Sequence, residues 1–224
     1  MVACHSLLTS LGILTLQFQS PPSRPDRESR RPPPSTRTAL PAFTRFWFRG
    51  VCEYLEDLVA RVDAPRLNSF ETTFFDDIVF DTPQFTQFIS RTSTMEAFDK
   101  AIVVSWDQHA RIELSSKTSG YGELKVGTPC RGLDWQVSFL EQVCASSLPP
   151  LSMLKDLYIS EHPYRQPVLE DNLDSALWLV LLRPFSTVKD LFLTEKNALR
   201  VVPALQELVG GRTIDVLHAL QNVL

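Results

Sequence analysis

The sequence predicts an α/β fold, an irregular repeat array with a mostly parallel, curved sheet, helices on its outer side and a β-rich central segment. Three observations lead there. A heptad is written twice, as "LKDLYIS" at 154–160 and "VKDLFLT" at 188–194. Its apolar template recurs from one end of the chain to the other. The stretches between copies carry helical spacing.

The template is Φ-x-x-Φ-x-Φ, with Φ apolar. Its strong copies are Leu11, Leu14, Leu16; Phe43, Phe46, Phe48; Leu154, Leu157, Ile159; and Val188, Leu191, Leu193. Weaker copies are Leu67, Phe70, Thr72; Phe98, Ala101, Val103; and Tyr121, Leu124, Val126, and a last one begins at Leu220 and Val223. Their first residues lie 32, 24, 31, 23, 33, 34 and 32 apart. That irregular period is close to the roughly 20–29 residues of a leucine-rich repeat. Alternate side chains of a strand share a face, so each Φ-x-Φ offers a short strand with an apolar inner side.

Helices are expected between copies. "VCEYLEDLVARV" sets Val51, Tyr54, Leu55, Leu58, Val59 and Val62 on one stripe with acids opposite. "DWQVSFLEQVCASS" repeats this with Val137, Leu140, Val143 and Cys144, opened by Asp134 as N-cap. "NLDSALWLVLLRPF" is apolar all round and suits a helix packed between neighbours. "PALQELVGG" is expected to start with Pro203 at its first helical position and to stop at Gly210-Gly211. Strand and helix alternating in this way form a solenoid, stable only when each repeat stacks on its neighbours. A doubly wound α/β domain competes with it, but wants longer strands and a glycine-rich first turn.

Two segments interrupt the rhythm. Residues 21–36 hold six prolines and four arginines and read as a Pro/Arg-rich loop or disordered insertion. Residues 102–130 read as a β-meander without a helix: "AIVVSW", "ARIELSS" and "ELKVGTPC" separated by turn-like "DQH" and "KTSGYG".

Composition narrows function. The chain has 224 residues, 44% apolar and 21% charged, with a net charge of −4, which disfavours nucleic-acid binding by the whole surface. Cys4, Cys52, Cys130 and Cys144 form no CxxC pair, so free thiols in a reducing compartment are expected. His5, His109, His162 and His218 are too dispersed for a metal site. The apolar start "MVACHSLLTSLGILTLQFQ" has no preceding Lys or Arg and no clear cleavage site, and no stretch is long enough to span a membrane. A cytoplasmic or nuclear protein is expected. No GxSxG, HExxH, Walker or GxGxxG pattern occurs, and Asp76-Asp77 has no partner base nearby in sequence. No cofactor is expected. The Arg24, Arg27, Arg30, Arg31 cluster is interspersed with Asp26 and Glu28 and reads as a solvated loop.

The residues between Φ positions carry the candidate function. Trp47, Tyr158 and Phe192 hold the same place in their copies, and alternation turns them away from the inner face. They form either a row covered by loops or a binding surface. The candidate partner-binding set is Arg45, Trp47, Lys155, Asp156, Tyr158, Lys189, Asp190 and Phe192.

Three long phrases carry a family resemblance: "LPAFTRFWFRGVCEYLEDLVARVDAPRL", "LDWQVSFLEQVCASSLPPLSMLKDLYI" and "WLVLLRPFSTVKDLFLTEK" followed by "VPALQELVGGRT". Together with "LLTSLGILTLQFQSP" they extend over essentially the whole chain. It resembles the C-terminal, leucine-rich-repeat-like region of a large group of fungal F-box proteins. The resemblance implies a non-enzymatic protein-interaction module that selects substrates for a ubiquitin ligase. In that family an N-terminal F-box docks on a Skp-type adaptor and a cullin. The resemblance covers residues 1–224 as a single array and expects it to be truncated at both ends, lacking the F-box. An α/β hydrolase-like enzyme of unknown substrate, or a degraded copy without activity, are the alternatives.

Overall fold

The structure is a computed structural model, which describes residues 9–19, 36–75, 82–106, 109–117, 122–129, 133–148, 151–161, 175–209 and 217–224. The insertion at 21–35, Asp76-Asp77, Tyr121, His162, Cys4 and Cys130 lie outside the described residues.

Every template copy becomes a strand. In chain order these are β1 (Ile13–Gln17), β3 (Arg45–Gly50), β5 (Ser69–Phe74), β6 (Lys100–Trp106), β8 (Glu123–Pro129), β9 (Asp156–Glu161), β10 (Asp190–Leu193) and β11 (Asn222–Val223). One further strand, β7 (His109–Ser115), joins them in a nine-stranded sheet of order β1-β3-β5-β8-β7-β6-β9-β10-β11. All strands but β7 run parallel, and β7 pairs antiparallel with both β6 and β8. The expected meander is therefore present at the centre. A separate two-stranded pair joins β2 (Thr38–Ala39) to β4 (Val62–Asp63).

The register shows why the template repeats. Leu14 opposes Phe46, which opposes Phe70, which opposes Leu124. Across the centre, Leu124 opposes Leu114 and Leu114 opposes Ala101. Ala101 opposes Leu157, Leu157 opposes Leu191, and Leu191 opposes Val223. The second Φ of all eight copies thus forms one ladder across the sheet. A strand slipped by one residue would turn its apolar side chains to the other face.

Backbone hydrogen bonds repeat with the same period. The residue before one strand accepts two N–H groups from the start of the next. The Gly12 carbonyl receives Thr44 and Arg45 at 2.8 and 3.2 Å, and the Thr44 carbonyl receives Asn68 and Ser69 at 2.9 and 3.1 Å. The Asp99 carbonyl receives Lys155 and Asp156, Lys155 receives Lys189 and Asp190, and Lys189 receives Gln221 and Asn222. A turn closes just upstream of five of the strands, β3, β5, β9, β10 and β11. Phe43, Leu67, Leu154, Val188 and Leu220 donate their N–H to the carbonyl three residues back, on Leu40, Ala64, Leu151, Phe185 and Leu217. All five acceptor residues are buried and apolar, so in these five copies the template is one Φ-x-x longer than the sequence suggests.

Helices follow the parallel strands. They are α1 (Cys52–Val59), α2 (Pro83–Arg91), α3 (Leu133–Gln142), α4 (Ser175–Leu182) and α5 (Glu195–Val209). All five contribute side chains to a single core with the inward strand residues: Leu55, Phe85, Leu140, Leu181 and Val201 join Phe46, Phe70, Ile112 and Leu157. The helices therefore share one face of the sheet. Burying each such side chain is worth about 1.5–3 kcal/mol. The all-apolar helix α4 packs between α3 and α5, as its composition requires.

Three expectations need correction. In α1 two of the three acids do not face away: Glu53 and Glu56 are 3% and 2% exposed, whereas Asp57 is exposed as expected. Glu56 is drawn inward because its carboxylate accepts the N–H groups of Phe85 at 2.8 Å and Gln84 at 3.0 Å. Those donors open α2, where Pro83 has none to give, so Glu56 caps the next helix. Pro203 does not open a helix but lies inside α5. A proline there deprives the Leu199 carbonyl of its intrahelical donor. Both residues are exposed, Leu199 by 76%, so water can serve that carbonyl. Asp134 is the second residue of α3, inside the helix rather than at its cap.

Candidate functional site

The sheet face opposite the helices carries the x positions of the template. Read across the sheet in register, one row is Thr15, Trp47, Glu71, Lys125, Glu113, Ile102, Tyr158 and Phe192. Trp47, Tyr158 and Phe192 do share a face and a level, as alternation requires. They are half-buried rather than covered over. They do not form one continuous row, because β5, β8, β7 and β6 stand between Trp47 and Tyr158.

The candidate residues fall into two groups. Arg45 and Trp47 stand on β3. Lys155, Asp156 and Tyr158 meet Lys189, Asp190 and Phe192 on the neighbouring strands β9 and β10, where Asp156 opposes Asp190 and Tyr158 opposes Phe192. The Tyr158 and Phe192 rings stack with centroids 4.2 Å apart and planes 5° from parallel. The Lys100 ammonium lies 4.4 Å from the Tyr158 centroid, within the range of a cation–π contact. Tyr158 is therefore held between a cation and a second ring.

Below the rings lies a polar network. Asp156 is 3% exposed and its carboxylate pairs with the Lys117 ammonium. A buried carboxylate without a counter-charge would be costly. Lys117 is placed by Asp99, whose Oδ1 accepts its backbone N–H at 2.9 Å. The pairing raises the Lys117 pKa, first through the hydrogen bond to Asp156. On the neighbouring strand, Asp190 accepts the Asn222 amide at 2.7 Å.

Sequence reasoning missed Lys100, Lys117, Asp99 and Asn222. A signal existed for two of them. The weak copy "FDKA" at 98–101 carries Asp99-Lys100 where the copies at 154 and 188 carry Lys-Asp. Parallel register then sets Lys100 beside Asp156, so a swapped charge order becomes a complementary neighbour. Nothing in the sequence points to Lys117, which arrives from the end of β7.

The middle of the face is charged and self-paired. Arg111 meets Glu113 at 2.5 Å and Lys125 meets Glu123 at 2.9 Å. Toward the other end of β7, His109 has its pKa lowered to about 4, chiefly by burial and then by the Arg111 and Arg49 charges. Gly127 leaves room for that ring, since a Cβ there would fall 2.9 Å from His109 Nε2. Cys52 and Cys144 are buried thiols outside any disulfide, and burial pushes the Cys144 pKa up. Among the described residues no group of three or more His, Cys, Asp or Glu is placed to hold a metal ion, and no helix is long and apolar enough to cross a membrane.

Comparison with protein-family models, with curated proteins and with solved structures yields no match. The geometry of the face has to carry the functional argument.

Proposed function

We propose that this chain is a non-enzymatic protein-interaction module, an irregular leucine-rich-repeat-like solenoid resembling the substrate-recognition region of a fungal F-box ubiquitin-ligase subunit. The observation that carries the reading is the one-sided sheet. Its inner face is fully committed to the helices, while the opposite face presents aromatic and charged side chains in register. Half-buried aromatic pairs are the side chains that anchor partner proteins. The repeated carbonyl ladder at the strand starts supports the solenoid part of the proposal.

Recognition would use Arg45 and Trp47 at one end of the face and Lys155, Tyr158, Lys189 and Phe192 at the other. Asp156 would act from beneath, by holding Lys117. A Skp-type adaptor and a cullin enter the proposal only through an F-box. Placement in the cytoplasm or nucleus belongs to the same reading.

The test compares the proteins recovered by affinity purification with three forms of the chain. Tyr158→Ala/Phe192→Ala is expected to lose partners that the unaltered chain retains. Leu199→Ala, on the exposed side of α5, is expected to retain them. An identical partner set for all three forms would reject the reading.

A further inference from the structure

We infer that the carboxyl ends of β3, β5 and β8 form a binding site for a small tetrahedral oxyanion of the sulfate or phosphate class, with the Arg49 guanidinium as its principal donor, beside the His109 ring above Gly127. The site stands apart from Tyr158 and Phe192 and goes beyond the interaction-module reading without resting on it.

One row of the sheet builds it. Arg49 opposes Thr73, Thr73 opposes Gly127, and Gly127 opposes Arg111. Each lies two residues from a member of the Trp47, Glu71, Lys125, Glu113 row, so all four belong to the same outward face. Two arginines therefore share a level with only a threonine and a glycine between them. His109 uses the absence of a side chain at Gly127. A Cβ there would fall 2.9 Å from His109 Nε2 and 3.5 Å from Arg111 Cβ. The imidazole nitrogen thus lies over the glycine that separates the arginines.

Arg49 is the group that calls for a ligand. Its Nε is buried and has no hydrogen-bond partner. The Phe75 ring lies 5.5 Å from its guanidinium carbon. Phe75 stands two residues beyond Thr73, and Pro129, opposite His109, stands two residues beyond Gly127. The ring contact therefore carries the guanidinium toward the level of His109. A guanidinium offers five N–H donors, and an aromatic face compensates its charge without supplying an acceptor. After burial itself, the Arg111 and Arg49 charges lower the His109 pKa, so positive potential gathers at that ring.

The acids stand aside. Among the described residues of β3, β5, β7 and β8, the acids are Glu71, Glu113 and Glu123, and all lie on the side of the arginine row away from His109. Glu113 takes one Arg111 nitrogen at 2.5 Å, and Glu123 takes Lys125. Donors from two strands and an imidazole surround the position. An anion with oxygens on several sides meets more of them than a planar carboxylate does.

The experiment titrates sulfate into the full chain by isothermal calorimetry, at ionic strength held constant with chloride. The His109 ring resonances are followed in parallel by NMR, identified by their loss in His109→Gln. One saturable site is expected, with Kd on the order of 1 mM or tighter, and the His109 shift should follow the same curve. Arg49→Gln, checked for folding by circular dichroism, should weaken binding at least about tenfold. Arg66→Gln, an exposed arginine before the amino end of β5, should leave it unchanged. Absence of both saturable heat and a His109 shift overturns the site. So does equal affinity in Arg49→Gln, which puts the ion elsewhere, or equal weakening in Arg66→Gln, which makes it a general charge effect. If Arg49→Gln does not fold, the unaltered chain decides: a His109 shift that follows the heat supports the site, and a stationary one overturns it.

Discussion

The Tyr158 ring lies flat against the Phe192 ring, centroids 4.2 Å apart, because parallel pairing sets the two residues opposite one another. Such a contact is worth about 0.5–1.5 kcal/mol beyond the area it buries. A double-mutant cycle of Tyr158→Ala and Phe192→Ala, read by urea denaturation, should return a coupling of about that size. Additive single substitutions would mean that the rings touch without stabilising each other.

Glu56 ties two helices together through a polar contact. Its carboxylate holds both backbone donors that open α2, at 2.8 and 3.0 Å, from a position 2% exposed. Glu56→Ala strands one buried and one part-buried N–H group and should cost about 1–3 kcal/mol in urea unfolding. Glu56→Gln keeps one acceptor oxygen and should cost less. Equal losses for the two variants would show that the carboxylate is not acting as a cap.

His109 should make stability depend on acidity. Its folded pKa is lowered to about 4 from 6.5, mainly by burial. Between those values the unfolded chain binds a proton that the folded chain refuses. The contribution is complete above pH 6.5 and is lost as pH falls toward 4. His109→Gln removes that titration, so the drop in urea midpoint from pH 7 to pH 4.5 should be smaller than in the unaltered chain. Equal drops would remove His109 from the account.

Two glycines at strand starts should respond oppositely to alanine. A Cβ at Gly122 would lie 2.9 Å from the Thr94 carbonyl oxygen, which also accepts the Gly122 N–H at 2.7 Å. Backbone has to move, and Gly122→Ala should cost about 1–3 kcal/mol. At Gly12 the nearest atom is the Ala42 oxygen at 3.7 Å, an ordinary contact, and Gly12→Ala should stay within about 0.5 kcal/mol. Thermal melts of the two variants decide it.

Much of this fold can be read from the sequence because one physical demand, a shared inner face, is written into every copy. Even the weak copies at Leu67, Phe98 and Tyr121 mark strands, since Phe70, Ala101 and Leu124 stand in the same ladder as Leu157. What escaped depends on contacts between segments far apart. The buried Glu56 is polar by type and sits inward only because α2 lies above it. Helix α2 itself shows Pro83 at its start and Phe85, Phe88 and Ile89 on one side, a pattern too short to stand out in the sequence alone. The outward face was legible in part: Tyr158 and Phe192 followed from alternation, whereas Lys117 reaches Asp156 across β6 and only the folded chain brings them together.

The exchanged places of β6 and β8 about β7 bear on how this chain can be assembled and altered. In an uninterrupted array each unit rests on the one made just before it, and units can be added or lost singly. Here β5 pairs with β8 rather than with the strand that follows it, so that junction closes only after β6 and β7 have also been made, while β6 pairs onward with β9. The centre is a lock with two bolts thrown in opposite directions. An insertion or deletion of a strand between β5 and β9 would have to keep both crossed pairings, β5 with β8 and β6 with β9.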